Sequence, residues 1–536
     1  MKLNKSISYL LIISVASLIL KLYTVDFSIP VNSDNLIYAL NAISYKNGDF
    51  SQLPDRSSGW SLFLYPFFYL IHSDNFLVYS NLTRLLSLGL STISIPFVYL
   101  LGRKFFNEKY SIIAACLFAF EPHLNYNSGL GLSEPLYHLA IIMMFYFILN
   151  KNSINVIPSM FMAGVVWWSR INGLLMVLVI SIVYFFTFRK NKNLLRNYGL
   201  GILLLLLVIS PVLIQRYMQF GDPLYYLYSN SIFAGNLEKT LSVNDRDVNP
   251  SMLSYIHTNG VSSFIETFII HGAYNILSTL ARISIPYFII LIPLGIIFSF
   301  KNIQNNKYLN SLWIFVIVSL GVSVITFSIV NERRFLFYIY PFFAIVGTLT
   351  IQKISEHKLN ILSNSDMSKN IFLIGFVILI IILSGLFTVT QYGKPDLILE
   401  QEKLEFDKFL INNLHGGLLD DSGIALDYVK YLQITNSSAG FRNYKITTDA
   451  SAKDRSLHTI RLYAESMDEL VSIGRSYNLK YVISNENRSF LHPYVDDIYN
   501  HEKDYPYLHK IFDSSENGLK KLKVKVFEIN YEQFHK

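Results

Sequence analysis

The sequence has a single cysteine, Cys116, among 536 residues, so no internal disulfide can form and cysteine usage does not report the redox compartment. Charge is scarce too: Asp, Glu, Lys and Arg make up 15% of the chain, against about a quarter in soluble domains. There is no Gly-rich phosphate loop, no Cys/His metal cluster, no internal repeat and no low-complexity tract. Those absences argue against P-loop nucleotide chemistry, a zinc module and a repeat array. What the chain has instead is apolar residues, at 52% hydrophobic and 15% aromatic, with a mean hydropathy of +0.35. They fall in blocks of about 18 to 22, the length a helix needs to cross a ~30 Å hydrocarbon core. The chain reads as a mainly α, polytopic membrane protein. Its net charge of +7 does not indicate nucleic-acid binding, because the basic residues sit at span ends.

Eleven spans are expected, at about 7–25, 77–101, 110–124, 134–149, 155–169, 171–188, 198–216, 281–300, 308–330, 335–351 and 371–390. The first run, "ISYLLIISVASLILKLYTV", is long and has no small-residue cleavage site after it, so it is read as a retained span. With the N-terminus cytoplasmic, the short inner segments carry fifteen Lys or Arg, and the outer loops about half as many. Residues 1–390 then form the membrane module, with a first outer loop at about 26–76 and a long outer loop at about 217–280. Residues 391–536 form an extracytoplasmic tail. In it, "DLILEQEKLEFDKFLINNL" has helical spacing, "KYVIS" reads as a buried strand and "KKLKVKVFEINY" alternates as a half-buried strand should. The tail is expected to be one small α/β domain.

Three places could carry chemistry. In "PVNSDNLIYALNAISYKNGDF", Pro30 to Phe50, Ser33 or Asp34 could cap a helix whose stripe of Leu36, Ile37, Leu40 and Ile43 would lie on the membrane. Asp34 is either that cap or a general base at the water–lipid boundary. In "FAFEPHLNYNSGLGLSEPLYHLAI", Glu121 and Glu134 each precede a proline on the expected outer face, and His123 lies between them. Ser133-Glu134-Pro135 is a good helix start in its own right. In "NERRFLFYIYPFFAIVG", Glu332, Arg333 and Arg334 lie on the outer face, where the positive-inside rule disfavours arginine. Paired arginines near headgroups suit a phosphate or pyrophosphate, while snorkelling is the plainer role. Arg170 in "VVWWSRINGLL" and Arg282 in "STLARISIPY" lie at the same level.

Taken in order, these stretches resemble the GT-C superfamily of glycosyltransferases, in the branch of protein O-mannosyltransferases and lipid A aminoarabinose transferases. The resemblance rests on "SDNLIYALNAISYKNGDF" followed by "SGWSLFLYPFFYL", then "SEPLYHLAIIMMFYFIL", Arg170, "ERRFLFYIYPFFAIVG" and the tail's "YNLKYVIS" and "VKVFEIN". It implies a GT-C-like bundle that transfers a sugar from a polyprenyl- or dolichyl-phosphate carrier to a protein, glycan or glycolipid acceptor on the outer face. It further implies inversion, with Asp34 as the catalytic base. Arg333 and Arg334 would neutralise the leaving phosphate, with Arg170, Arg282 and Glu332 as further substrate-binding residues. Glu134 would orient the acceptor or a bound cation.

The sequence departs from the family at one point: many members carry two adjacent acids in the first loop, whereas Asn35 follows Asp34 here. A hard cation prefers several carboxylates, so no metal ligand is assigned and a divalent cation is left open. The rival readings are a transporter or glycolipid flippase, an oligosaccharide-transferring relative (although a "WWDYG"-type signature is absent), and a non-catalytic scaffold. Sequons occur at Asn81, Asn436 and Asn487.

Overall fold

The structure, a computed structural model, describes all residues except 1–4, 171–172, 247–249, 303–306, 363–365, 421–425, 437–439, 451–456, 487–491 and 535–536. The Asn487 sequon lies outside the described residues, as does all but the first residue of the one at Asn436.

The membrane module is helical throughout. Its helices are α1 Lys5–Tyr23, α2 Ser33–Lys46, α3 Gly59–Tyr69, α4 Phe76–Gly102, α5 Glu108–Ala119, α6 Pro122–Gly129, α7 Glu134–Ile148, α8 Val156–Ser169, α9 Leu174–Phe188 and α10 Leu194–Phe220. After the short α11 Leu237–Leu241 and α12 Val243–Arg246 come α13 Met252–Phe264, α14 His271–Ile283, α15 Phe288–Asn302, α16 Lys307–Ile329, α17 Tyr340–Leu362 and α18 Asp366–Phe387. Local chemistry sets many of the starts. Asn75 and Asn107 accept the amide protons of Leu77 and Tyr110 to cap α4 and α5, and Glu121 caps α6 just before its first-turn proline. Helix α10 stops at Gly221, whose φ of 76° is a conformation that side chains disfavour.

Most expected spans fall on single helices, whereas 110–124 and 281–300 straddle the breaks after α5 and α14, 335–351 begins in the 3-10 turn Arg333–Ile339, and the count of eleven is not reached on length and composition. Among the described residues six helices are long and apolar enough to cross a bilayer, or seven if the pair Met252–Ile283 and Phe288–Phe300, bent by 114°, is one broken span. Helices α5, α7, α8, α9 and α15 have 12, 15, 14, 15 and 15 residues, short of the roughly 20 that a bilayer needs. The reason is burial. Helices α5, α7 and α8 lie largely inside the bundle, packed with α4 and α17 around Ile95, Leu117, Ile141 and Ala344. Hydropathy cannot distinguish protein-facing from lipid-facing apolar residues. Within 217–280, the stretch read as a long loop, helical backbone begins at Met252, breaks at Gly260, whose φ is 85°, and resumes through a π turn at Ile265–Ile270 to Ile283.

The tail forms a five-stranded sheet of β1 Gly416–Asp420, β2 Leu457–Thr459, β3 Leu479–Asn485, β4 Leu508–Asp513 and β5 Val524–Ile529, in the order β2-β1-β3-β5-β4. Strand β1 runs parallel to β2 and β3, and β5 runs antiparallel to β3 and β4. One face is covered by Leu470, Val471 and Ile498, the other by Phe406 and Leu410 from the helix Leu397–Asn413. The α/β expectation for this region holds.

The tail is clamped to the membrane module at two places. Asn47 donates from Nδ2 to the carbonyls of Arg442 (2.6 Å) and Tyr444 (3.0 Å), and the Ile446 amide donates to Ser44 Oγ (2.9 Å). The Asp49 carboxylate accepts from the Thr447 amide (3.0 Å) and hydroxyl (3.1 Å), while Phe441 packs on Phe76 and Tyr79. At the second place Asn244 and Tyr463 exchange two hydrogen bonds of 3.1 and 3.0 Å, and Val243 donates to Arg461. Burial alone would raise the Asp49 carboxyl, but the Ser51 and Thr447 donors outweigh it and hold the group down at about 2. Its contribution is therefore complete above the ordinary carboxylate value and is lost only as pH falls through about 2. Limited proteolysis of the tail is expected to be constant between about pH 8 and 5 and faster in Asp49→Ala throughout. Equal cleavage of variant and wild type would dismiss the clamp.

Candidate active site

Six charged groups from five chain segments meet at the end of the bundle that carries residues 26–76. Asp34 lies in the first turn of α2, where an anion suits the helix dipole, and it is not the cap. The cap position is Asn32, with no side-chain hydrogen bond, and Ser33 has a φ of 46°. Asp34 Oδ1 lies 2.7 Å from Arg56 Nη1 and Oδ2 lies 2.9 Å from Arg334 Nη2. Both oxygens of the carboxylate are thus held by guanidinium groups. Arg334 also reaches Glu332 (3.3 Å) and Glu134 (3.9 Å), and Arg170 Nη2 donates to Glu134 Oε1 at 3.1 Å. Arg170 in addition lies over the Phe335 ring, 4.6 Å from its centre. Three acids alternate with three arginines, so the cluster is neutral as a whole.

Local folding delivers each member. Arg334 sits on the 3-10 turn Arg333–Ile339, which is anchored by the buried residues Leu336 to Ile339. Glu134 opens α7 with its side chain 1% exposed, and its Oε2 is buried without a hydrogen-bond partner. Arg170 follows α8 in an extended conformation. Arg56 is held by its backbone. The buried Arg216, near the end of α10, donates to the carbonyl oxygens of Arg56 (2.7 Å), Leu53 (3.3 Å) and Tyr225. Across the same junction the Gln52 amide donates to Gln219 Oε1 (2.8 Å) and Gln219 Nε2 donates to the Gln52 carbonyl (2.9 Å).

Burial alone would raise the Asp34 carboxyl, but Arg56 and Arg334 outweigh it and hold the group below the usual carboxylate range. With both guanidiniums in place it is an ionised but weak proton acceptor. Tyr38, one turn further along α2, is close enough to interact electrostatically with Asp34, Arg56 and Glu134, and burial keeps its phenol protonated.

Not every residue singled out in the sequence joins this cluster. Arg282 donates instead to Thr279 Oγ1 (3.0 Å) and Asn331 Oδ1 (3.1 Å). Arg333 is exposed and has no ion pair among the described residues. Glu121 and His123 form their own buried pair at 2.9 Å, ringed by Phe337, Tyr340, Phe387 and Tyr392. Helix α2 does not simply lie on a membrane face, for Leu36, Leu40 and Ile43 are buried in a cluster with α3, Tyr79 and the tail's Phe441. Arg56, Tyr38 and Arg216 were missed in the sequence. The one signal for Arg56 was its place in a short loop following an acid, "PDRSSG", which reads equally well as a solvated turn.

The residues do not fit a divalent cation. Among the described residues no three carboxylate, imidazole or thiol groups are gathered as ligands. Both Asp34 oxygens are engaged by arginine, and a cation among three guanidiniums would meet strong repulsion. The Asn35 amide turns away and donates to the Leu130 carbonyl, a bond that an aspartate there could not make.

No family model and no curated protein matches the sequence. Solved structures match it in fold. The oligosaccharyltransferase of Archaeoglobus fulgidus in its apo form aligns with a TM-score of 0.58 and 12% identity, over 90% of this chain and 70% of its own. ArnT from Cupriavidus metallidurans in the apo state aligns at 0.56 and 11% identity, over 99% of both chains. The same protein bound to undecaprenyl phosphate aligns at 0.52 and 11%, over 98% of this chain. At these identities the likeness is one of fold alone.

Removing the Glu134 carboxylate leaves Arg170 half-enclosed and unpaired. Glu134→Ala is expected to cost about 3 kcal/mol, seen as earlier melting in detergent, and Arg170→Met in the same chain should restore most of it. An unchanged melting temperature in the single variant would refute the pairing.

Proposed function

We propose that the protein is an integral-membrane glycosyltransferase that moves a sugar from a polyprenyl- or dolichyl-phosphate carrier to an acceptor hydroxyl on the extracytoplasmic face. The observation that carries this reading is the Asp34 carboxylate held between Arg56 and Arg334 at one end of a bundle with the GT-C fold. A base and two phosphate-binding cations side by side are what displacement at a phosphate-bearing anomeric carbon requires. That ArnT has been captured with undecaprenyl phosphate supports a lipid phosphate as donor.

In the reaction the acceptor oxygen attacks the anomeric carbon from the side opposite the phosphate. Its proton passes to Asp34. The bond from the anomeric carbon to the phosphate oxygen breaks, and its electron pair leaves with the lipid phosphate. A single displacement inverts the anomeric configuration, in contrast to the two-carboxylate route of retaining hydrolases. Arg334 and Arg56 hold the phosphate, and each can bind it bidentately. Arg170 and Glu134 brace Arg334, and Glu134's Oε2 is buried with its hydrogen-bonding capacity unused. Arg333, Glu332 and Arg282 are assigned as weaker contacts to the substrate. The positive charge that a cation would supply comes from the arginines.

The test is transfer in purified membranes supplied with labelled polyprenyl-phosphate sugars and candidate protein, glycan and glycolipid acceptors. Asp34→Asn is expected to lower the rate by roughly 10² to 10⁴ with expression intact. Unchanged transfer in the variant would remove Asp34 from the chemistry. A wild type that consumes no donor would favour lipid transport over transfer.

A further inference from the structure

In the resting site Asp34 already occupies the position that an incoming anion would want. Its two oxygens bind guanidinium groups from separate segments, 2.7 Å from Arg56 and 2.9 Å from Arg334. The donor's phosphate, a diester of lipid and sugar, presents two non-bridging oxygens that share one negative charge, as a carboxylate does, to the same two forks. Arg56 also keeps a donor in reserve, since its Nε is buried and makes no hydrogen bond. Apart from Asp34, the only ion-pair partner of Arg56 among the described residues is its neighbour Asp55, at a loose 3.8 Å. Arg334 would keep Glu332 at 3.3 Å and Glu134 at 3.9 Å. Without Asp34 the pair would be a preformed anion seat beside the N-terminus of α2.

We propose that Asp34 is a built-in stand-in for the donor's phosphate, and that the arriving phosphate displaces it from Arg56 and Arg334, uncovering the base only when donor is bound. The proposal rests on the transferase reading above and adds an order of events to it. In the resting enzyme the base is quenched by two cations. Once those cations close on the phosphate, the carboxylate is left with neither and becomes basic enough to take the acceptor's proton. No covalent step is involved, only an exchange of one anion for another on the same two arginines. Arg56 is thereby assigned as a phosphate ligand, positioned through its backbone by Arg216.

The inference separates the two roles of Asp34 in a way that a merely structural aspartate could not. A competitor that holds the arginines in most molecules reduces apparent phosphate affinity by the fraction left free, so removing it should tighten binding roughly tenfold or more. The measurement is binding of sugar-free polyprenyl phosphate to the full-length protein in nanodiscs, with inorganic phosphate and pyrophosphate as competing probes. Asp34→Asn should bind the lipid phosphate more tightly than wild type although it transfers sugar far more slowly. Adding Arg56→Gln to Asp34→Asn should abolish the gain. Asp34→Ser serves as the second variant where the first melts early. Equal or weaker binding in both Asp34 variants would overturn the proposal, since Asp34 would then be holding the arginines in place for the phosphate. If wild type transfers sugar and the variants show no gain, displacement falls and the transferase reading stands. If the variants gain affinity for inorganic phosphate but neither they nor wild type bind the lipid, the anion exchange stands and the lipid donor falls.

Discussion

The need to neutralise charge where the bundle meets its loops governs this end of the molecule. Asp34 between Arg56 and Arg334 is the centre of that neutralisation. A lone guanidinium or carboxylate in partial burial is costly, and breaking such a pair costs more than making it gains. Each member therefore depends on the segments that supply the others: α2, the loop at 49–58, the start of α7, the end of α8 and the turn before α17. Neighbouring polar contacts serve the same end. Arg216 and Gln219 fix the loop that carries Arg56, and Asn35 ties α2 to the carbonyl of Leu130, ahead of α7.

The clamp between the tail and residues 44–49 extends this dependence into the C-terminal tail. Helix α2 begins at the charged cluster and ends at the residues that receive the tail. Its buried face is shared with α3 and with Phe441, Tyr444 and Ile446. A 14-residue helix is a stiff link about 20 Å long. The same helix thus carries Asp34 at one end and the tail's anchor at the other.

How far all this could be read in advance differs by feature, and the difference is physical. Helices were legible because apolar runs persist over whole elements. Strand β3 was legible because "KYVIS" is a short apolar run after a turn, and β5 because "VKVFEIN" alternates. The number of full crossings was not, because residues such as Leu117 and Ile141 are as apolar facing protein as they would be facing lipid. Within the site, Asp34, Glu134, Arg170 and Arg334 stood out as charges where charge is disfavoured. Arg56 did not, because a loop arginine after an aspartate looks solvated until the fold sets Arg216 beneath it. Nor could the sequence separate Arg333 from its neighbour, for only the 3-10 turn sends one outward and the other onto Asp34.

The Asp34-Asn35 pair shows why one substitution in a pattern can change how a site is charged. Two adjacent acids would set two anions side by side and call for a divalent cation to join them. Here the second position is an amide that donates to a backbone carbonyl, and the positive charge comes from guanidiniums borne by distant segments. A cation is a mobile partner whose binding depends on its concentration, whereas arginines are covalently present and need only be positioned. The demand on the fold rises accordingly, since every guanidinium must be delivered by its own stretch of backbone. Arg216, buried beneath the loop of Arg56, and the 3-10 turn beneath Arg334 are how this chain meets that demand.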